Sequence, residues 1–299
     1  MLKTLALATA LLTGTAQAQE SFTLQQLAPG VYALIDRGGR AGANAGVVIG
    51  RDAIAVIDSL YQPEASRELL ARVRQLSPLP IRYLINTHHH IDHVGGNRLL
   101  ADAGATVIAQ RQVMGWLHGE NLRLLGGERI SDEQRARVDG LLPPQLGYEG
   151  TLRIDLGDRQ LLLQHRLGHT GGDTVVTVSD AAVVFMGDLL WRAAIPNLVD
   201  ARTEDWTQTL DAYATMDATT RFVPGHGGVA TPADVRDFAA YLRQLRSTVQ
   251  AAGSDSERAL AQLRLQFGAL AYFKGLAAAN VRDMQSELAG TKRVPPRSD

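Results

Sequence analysis

The feature that most limits what this chain can become is the run Ile85-Asn86-Thr87-His88-His89-His90-Ile91-Asp92-His93-Val94-Gly95-Gly96. Four of the eight histidines in 299 residues fall inside it. Read as H-x-H-x-D-H, it offers three imidazoles and a carboxylate from one short loop, enough to seat two metal ions side by side. Alternation along an extended loop puts His88 and His90 on one side, within reach of one ion. Asp92 and His93, beyond the bend, reach a neighbouring position. His89 points away and is not expected to be a ligand.

Two ions need more ligands, and three later sites supply them, each following an apolar strand. His169 sits in Leu167-Gly168-His169-Thr170-Gly171-Gly172-Asp173, Asp188 follows Val183-Val184-Phe185-Met186-Gly187, and His226 lies in Val223-Pro224-Gly225-His226-Gly227. The small neighbours Gly168, Gly187, Gly225 and Gly227 let backbone and ligands crowd around an ion. About three protein ligands per ion leave a position open for water, as catalysis requires. Cysteine is absent, so the centre is built from His and carboxylate, and the fold is held without disulfides. His118 and His165 have no such motif and read as ordinary residues. The pattern points to a metal-dependent enzyme.

A net charge of −1 gives no electrostatic case for binding nucleic acid or an anionic membrane. The first eighteen residues read as a secretory signal: Met1-Leu2-Lys3, an apolar stretch from Leu5 to Leu12, then Ala16-Gln17-Ala18 as cleavage site. The mature chain, 19–299, is expected to be one soluble domain in a periplasm, with no membrane association after signal removal.

Short β-type runs are expected at Phe22–Leu27, Val31–Asp36, Ala45–Ile49 and Ala53–Asp58, then a helix from Pro63 to about Leu76. Arg82–Asn86 reads as a buried strand delivering the histidine loop, Gly95–Ala103 as a helix and Thr106–Ala109 as a strand. Residues of about 110–147 break this rhythm, as a lid or insertion near the site or as a helical surface excursion. Strand patterns return at Leu152–Leu156, Gln160–His165, Thr174–Val178, Ala182–Met186 and Arg221–Val223, with a helix over about Glu204–Met216. From Pro232 to about 290 the chain turns helical, a tail expected to pack onto the main body. Two β-rich halves, each followed by helices, predict an α/β, four-layer αββα sandwich with a helical C-terminal extension.

The ordered set of motifs resembles the metallo-β-lactamase superfamily from about Val31 to His226. The resemblance implies that one ion takes His88, His90 and His169, that the second takes Asp92, His93 and His226, and that Asp188 bridges them. Asp58, ending Ile54-Ala55-Val56-Ile57-Asp58-Ser59, matches the family's first motif, a carboxylate that orients ligands. The implied cofactors are two Zn2+, with iron or manganese also compatible with the oxygen-rich bridge. The implied reaction is hydrolysis by a metal-bound hydroxide that opens a carbonyl-type bond, with Asp92 as the catalytic residue that orients the nucleophile and accepts its proton.

For the substrate, a small molecule, the loop Ile195-Pro196-Asn197-Leu198-Val199-Asp200-Ala201 resembles one in a subclass of secreted β-lactamases, where an Asn binds the lactam carbonyl. By that likeness Asn197 binds substrate. The subclass has Cys where this chain has Asp188 and Lys where it has Trp191, so Arg192 is either a substitute for that Lys, binding a substrate carboxylate, or an Arg on a surface loop. A closer likeness is to periplasmic metallohydrolases found beside quinoprotein and sulfur-oxidation systems. A β-lactam amide is therefore the first substrate to test. Lactone or thioester hydrolysis, or a metal-binding accessory role in a periplasmic oxidation pathway, are the alternatives; oligomeric state stays open.

Overall fold

Two sheets form because apolar residues alternate between two buried faces along most strands. The computed structural model describes residues 20–295; the expected secretory signal lies outside them. The first sheet runs in sequence order through β1 (Phe22–Ala28), β2 (Val31–Asp36), β3 (Ala45–Ile49), β4 (Ile54–Ile57), β5 (Ile81–Ile85), β6 (Thr106–Gln110) and β7 (Leu146–Tyr148). It is antiparallel up to β4 and parallel from β4 to β7. The second comprises β8 (Thr151–Asp155), β9 (Gln160–Arg166), β10 (Asp173–Val178), β11 (Val183–Trp191) and β12 (Arg221–His226). Its spatial order is β12-β11-β10-β9-β8, with the β11–β12 pair parallel.

Period-two alternation decides which layer each side chain joins. Val48, Ile57, Ile85 and Ile108 of the first sheet meet Val176, Val183, Phe185 and Val223 of the second in one core between the sheets. Their sequence neighbours Val47, Val56, Leu84 and Val107 face outward. There they are covered by helix α1 (Pro63–Leu76), through Leu69, Leu70 and Val73, and by Leu100 of α3 (Asn97–Asp102), which follows the single turn α2 (Ile91–Val94). α1 starts on Pro63, whose missing N–H is no loss in a first turn.

Residues 110–147 fold into α4 (Arg111–Trp116), α5 (Gly119–Leu125) and α6 (Asp132–Asp139) before β7 joins the edge of the first sheet. That strand was not anticipated; only three residues long and holding Gly147, it has no readable alternation.

The outer face of the second sheet is covered by α7 (Thr203–Ala214), α8 (Pro232–Ala252) and the tail helices α9 (Ser256–Phe267) and α10 (Phe273–Leu288). Trp206 and Leu210 of α7 pack with Phe238, Leu242 and Leu245 of α8 and with Val281 and Met284 of α10. α8 opens on a reciprocal cap between Thr231 and Asp234 with Pro232 in the first turn. The layers are α, β, β, α, as expected, and the tail packs onto the main body.

Two strands reach further than anticipated. β11 continues past Met186 to Trp191 through register breaks around Gly187, whose φ is +49°, and β12 continues to His226. Asp188 and His226 therefore stand within the last turns of paired strands instead of on loops beyond them.

Candidate metal centre

The histidine loop leaves the end of β5 at the edge where both sheets expose their strand ends. His88 and His90 come from this loop, and Asp92 and His93 from the single turn α2. His169 comes from the loop between β9 and β10, Asp188 from β11 and His226 from β12. His88, His90, His169 and Asp188 form one set whose ligand atoms all lie within 4.8 Å of one another, and Asp92, His93 and His226 form a second. Asp188 stands between the sets. Its Oδ2 is 3.2 Å from His169 Nε2 and 3.8 Å from His88 Nε2, while Oδ1 is 3.2 Å from His93 Nε2 and 3.4 Å from His226 Nε2.

Close approach of β12 to Asp188 depends on Gly225. A Cβ at that position would lie 1.8 Å from Asp188 Oδ1, well inside contact distance.

Asp58 is buried beneath the cluster with φ +58°, at the end of β4. Its Oδ1 accepts the Thr87 N–H and its Oδ2 the Thr87 hydroxyl, both at 2.7 Å, and Oδ2 lies 2.7 Å from His93 Nδ1. A carboxylate only accepts, so His93 carries a proton on Nδ1 and turns Nε2 towards Asp188. Thr87 has one hydroxyl proton, already given to Asp58, so its oxygen accepts from His88 Nδ1 at 3.1 Å. His88 Nε2 is thereby turned inward as well. Thr87 was not singled out from sequence, although it immediately precedes the H-x-H.

These residues fit a pair of metal ions. The inward atoms His88 Nε2, His93 Nε2, His226 Nε2 and Asp188 Oδ1 are buried and have no hydrogen-bond partner in the protein. Buried polar atoms are seldom left so, and cations held among the two sets would satisfy them. The electrostatics agree. Burial works against a charge on His93, yet Asp188, Asp58 and Asp92 push it well above the ordinary imidazole value. His226, also opposed by burial, is raised to about 9 by Asp188 and Asp92. Burial holds His88 low and His169 at about 3. Burial would raise Asp92, but His93 and His226 keep it at about 2 and so ionised. The carboxylates thus demand positive charge at the centre of the cluster, where bound cations would supply it.

A cavity of about 570 Å³ opens over Asp92, Asp188 and His226. Leu124 and Leu125 of α5, Ile91, Trp191, and Tyr272 and Leu276 at the start of α10 form its apolar walls, with Asn121 and Asn197 as polar members. Trp191 stacks on His226 at 4.0 Å between ring centroids. Among the described residues lining it there is no Lys or Arg. The segment 110–147 therefore builds one wall of the site, and the helical tail another.

Asn197 lines the cavity, its carbonyl oxygen accepting the Val199 N–H at 3.0 Å. Arg192 does not: its Nε donates to Asp234 Oδ1 at 2.9 Å, and it lines a neighbouring cavity with Phe238 and Tyr241. Strand alternation explains this correction, since Trp191 faces the metal cluster and the next side chain must face away. His89 is buried beside Trp116 and 3.6 Å from Asp200, apart from both sets around Asp188. His118 and His165 contact the carbonyls of Leu141 and Gly171. Asp200, its side chain 1% exposed and 3.3 Å from His90 Nε2, was given no role from sequence although it stands in the same loop as Asn197.

Comparison with known proteins gives the same picture. Hydroxyacylglutathione hydrolase of Methylococcus capsulatus is 26% identical over 178 residues, 59% of this chain, and the chain spans only 58% of that protein's length. The same-named protein of Gloeobacter violaceus is 36% identical over 95 residues, 31% of this chain and 37% of the relative. Acyl-coenzyme A thioesterase MBLAC2 of Bos taurus is 25% identical over 236 residues, 70% of this chain and 82% of the relative. The family model of the metallo-beta-lactamase superfamily matches residues 38–226, which take in every motif of the cluster, and the chain belongs to that superfamily.

Proposed function

We propose that the protein is an exported, zinc-dependent hydrolase that cleaves the thioester of an apolar acyl group. The observation that carries this reading is the cavity: its walls are apolar, it has no cationic side chain among the described residues, and its floor is Asp92, Asp188 and His226. The named activities of the relatives, hydrolysis of hydroxyacylglutathione and of acyl-coenzyme A, support the bond type. Export rests on the leader-like pattern of residues 1–18.

His88, His90 and His169 would hold one ion and Asp92, His93 and His226 the other, with Asp188 shared. When bound, such a pair supplies Lewis acidity to a carbonyl and lowers the pKa of water between the ions. The protein's own groups do the rest. Asp92, ionised and facing the cavity, orients the attacking water and takes its proton at a carboxylate oxygen. Leu124, Leu125, Trp191 and Leu276 bury the acyl chain and exclude bulk water, and Asn197 is the polar lining group on hand for the carbonyl end. Water's oxygen bonds to the carbonyl carbon, the C–S bond breaks, and the thiolate departs with the electron pair. A thiol leaves unprotonated more readily than an amine because its pKa is only about 8.5. Among the described residues the lining provides one titratable side chain outside the His/Asp cluster, Tyr272, which suits a leaving group that needs no general acid.

A β-lactam amide is the second reading, favoured by Asn197. Against it, the position expected to bind a substrate carboxylate, Arg192, is paired with Asp234 outside the cavity.

The test is a chromogenic series of acyl thioesters of rising chain length beside a chromogenic cephalosporin, with zinc-loaded protein. The reading expects kcat/KM to rise with acyl length and to exceed that for the cephalosporin. Preference for the cephalosporin would replace it by the second reading. Asp92→Asn protein that keeps its zinc and its full turnover would contradict the role given to Asp92.

A further inference from the structure

Asp200 lies in the loop that carries Asn197 but was assigned no role there, and its carboxylate sits against the His/Asp cluster at His90. Oδ2 is 3.3 Å from His90 Nε2, and the side chain is 1% exposed. Oδ1 accepts Arg123 Nη2 at 2.5 Å. Arg123 Nε in turn donates to Glu120 Oε2 at 2.6 Å, and Glu120 accepts both terminal nitrogens of Arg293 at 2.8 and 2.7 Å. The backbone next to Asp200 is tied as well, since Lys292 Nζ donates to the Ala201 carbonyl at 2.6 Å.

We propose that Asp200 is a positioning residue for the first metal site, fixing His90 so that Nδ1 faces His88 and His169. A carboxylate held by an arginine can only accept from an imidazole, so the His90 proton sits on Nε2 and Nδ1 is left bare. Nδ1 lies 3.0 Å from His169 Nε2, on the side where the first set converges. Each of three neighbouring ligands then has its own outer acceptor: Asp58 for His93, Thr87 for His88 and Asp200 for His90. The Asp200 arrangement differs in reach. Through Arg123 and Glu120 it joins His90 to α5, whose Asn121, Leu124 and Leu125 line the cavity, and to the C-terminal segment at Arg293. The wall and the metal position share one chain of alternating charges.

The inference rests on the assignment of His88, His90 and His169 to one ion, and its test reads zinc affinity, so it does not depend on the substrate. Chelator-stripped wild type, Asp200→Asn and Arg123→Gln are titrated with Zn2+ against a chromophoric chelator, and with Co2+ for the ligand-field spectrum. Asp200→Asn should bind the first equivalent of zinc roughly 10–100-fold more weakly and shift the cobalt bands. Arg123→Gln, which leaves the carboxylate in place but unclamped, should lose affinity in the same direction by a smaller factor. A purely structural role would lower the melting temperature of the stripped protein and leave zinc affinity and cobalt bands alone; that result overturns the proposal. If Asp200→Asn does not fold, unchanged zinc affinity in Arg123→Gln overturns it. A wild type that binds no zinc would overturn the ligand assignment, and this inference with it.

Discussion

At the scale of single residues, the centre depends on what stands behind each ligand. Asp58 accepts from Thr87 and His93 together, so Asp58→Asn replaces one acceptor oxygen by a donor and disturbs His93 directly. Zinc at the second position should weaken by roughly 10–100-fold, measured by competition titration, with the first position less affected. Gly225→Ala should be as damaging without removing any ligand, because the added methyl would sit 1.8 Å from Asp188 Oδ1. The check is metal content after dialysis, which should fall below that of the wild type; full retention of zinc would show that Asp188 is not needed where the structure places it. The H-x-H-x-D-H run was legible because its chemistry is local. His169, Asp188 and His226 were legible because each carries a glycine beside an apolar strand. The role of Asp200 was not, since its contact with His90 joins residues 110 apart, which no local spacing encodes. Of the two readings of Arg192, alternation along β11 favours the one away from the cavity, where it pairs with Asp234.

Among the elements, α5 and α8 separate function from stability. Leu125 of α5 lines the cavity, so on the proposed thioesterase reading Leu125→Asp should lower kcat/KM for long-chain thioesters far more than for acetyl thioesters, with zinc content unchanged. Leu242 of α8 is buried in the apolar cluster on the outer face of the second sheet and is not among the residues lining the cavity. Leu242→Ala should cost about 2–5 kcal/mol of stability in denaturant unfolding and leave zinc affinity untouched. The Glu120 knot ties α5 to Arg293 and has a pH signature. Hydrogen bonds from Arg293, then from Arg123, hold the Glu120 carboxyl below its ordinary value of 4.5. A folded pKa lowered in this way gives stability that is present above the unfolded value and lost as pH falls through the folded one. The melting temperature of wild type should therefore exceed that of Glu120→Gln near neutral pH, and the gap should close as the pH drops below about 4.5. Boundaries of most strands and helices followed from period and caps. The segment 110–147 did not declare its role, because Leu124 and Leu125 become a wall only once α5 is laid against the opening, which no local period encodes.

Over the whole molecule, two sheets share one core, and the ligands come from both. The loop after β5 and α2 of the first half bring four of them, while the β9–β10 loop, β11 and β12 of the second bring three. Metal bound across this edge links the halves, so chelation should lower the melting temperature as well as stop turnover, and re-addition of zinc should restore both. The αββα layering was readable from alternation in each half. The tail's contribution of Tyr272 and Leu276 to the cavity was not, since it arises from how α10 docks beside β11. The most direct measurement is a zinc titration of chelator-stripped protein, following bound metal and hydrolysis of a long-chain acyl thioester in the same sample, with His88→Ala alongside. The account predicts that turnover appears as about two equivalents bind and is absent from His88→Ala. Two equivalents bound with neither thioester nor β-lactam turnover, or turnover that persists in stripped protein, would contradict it.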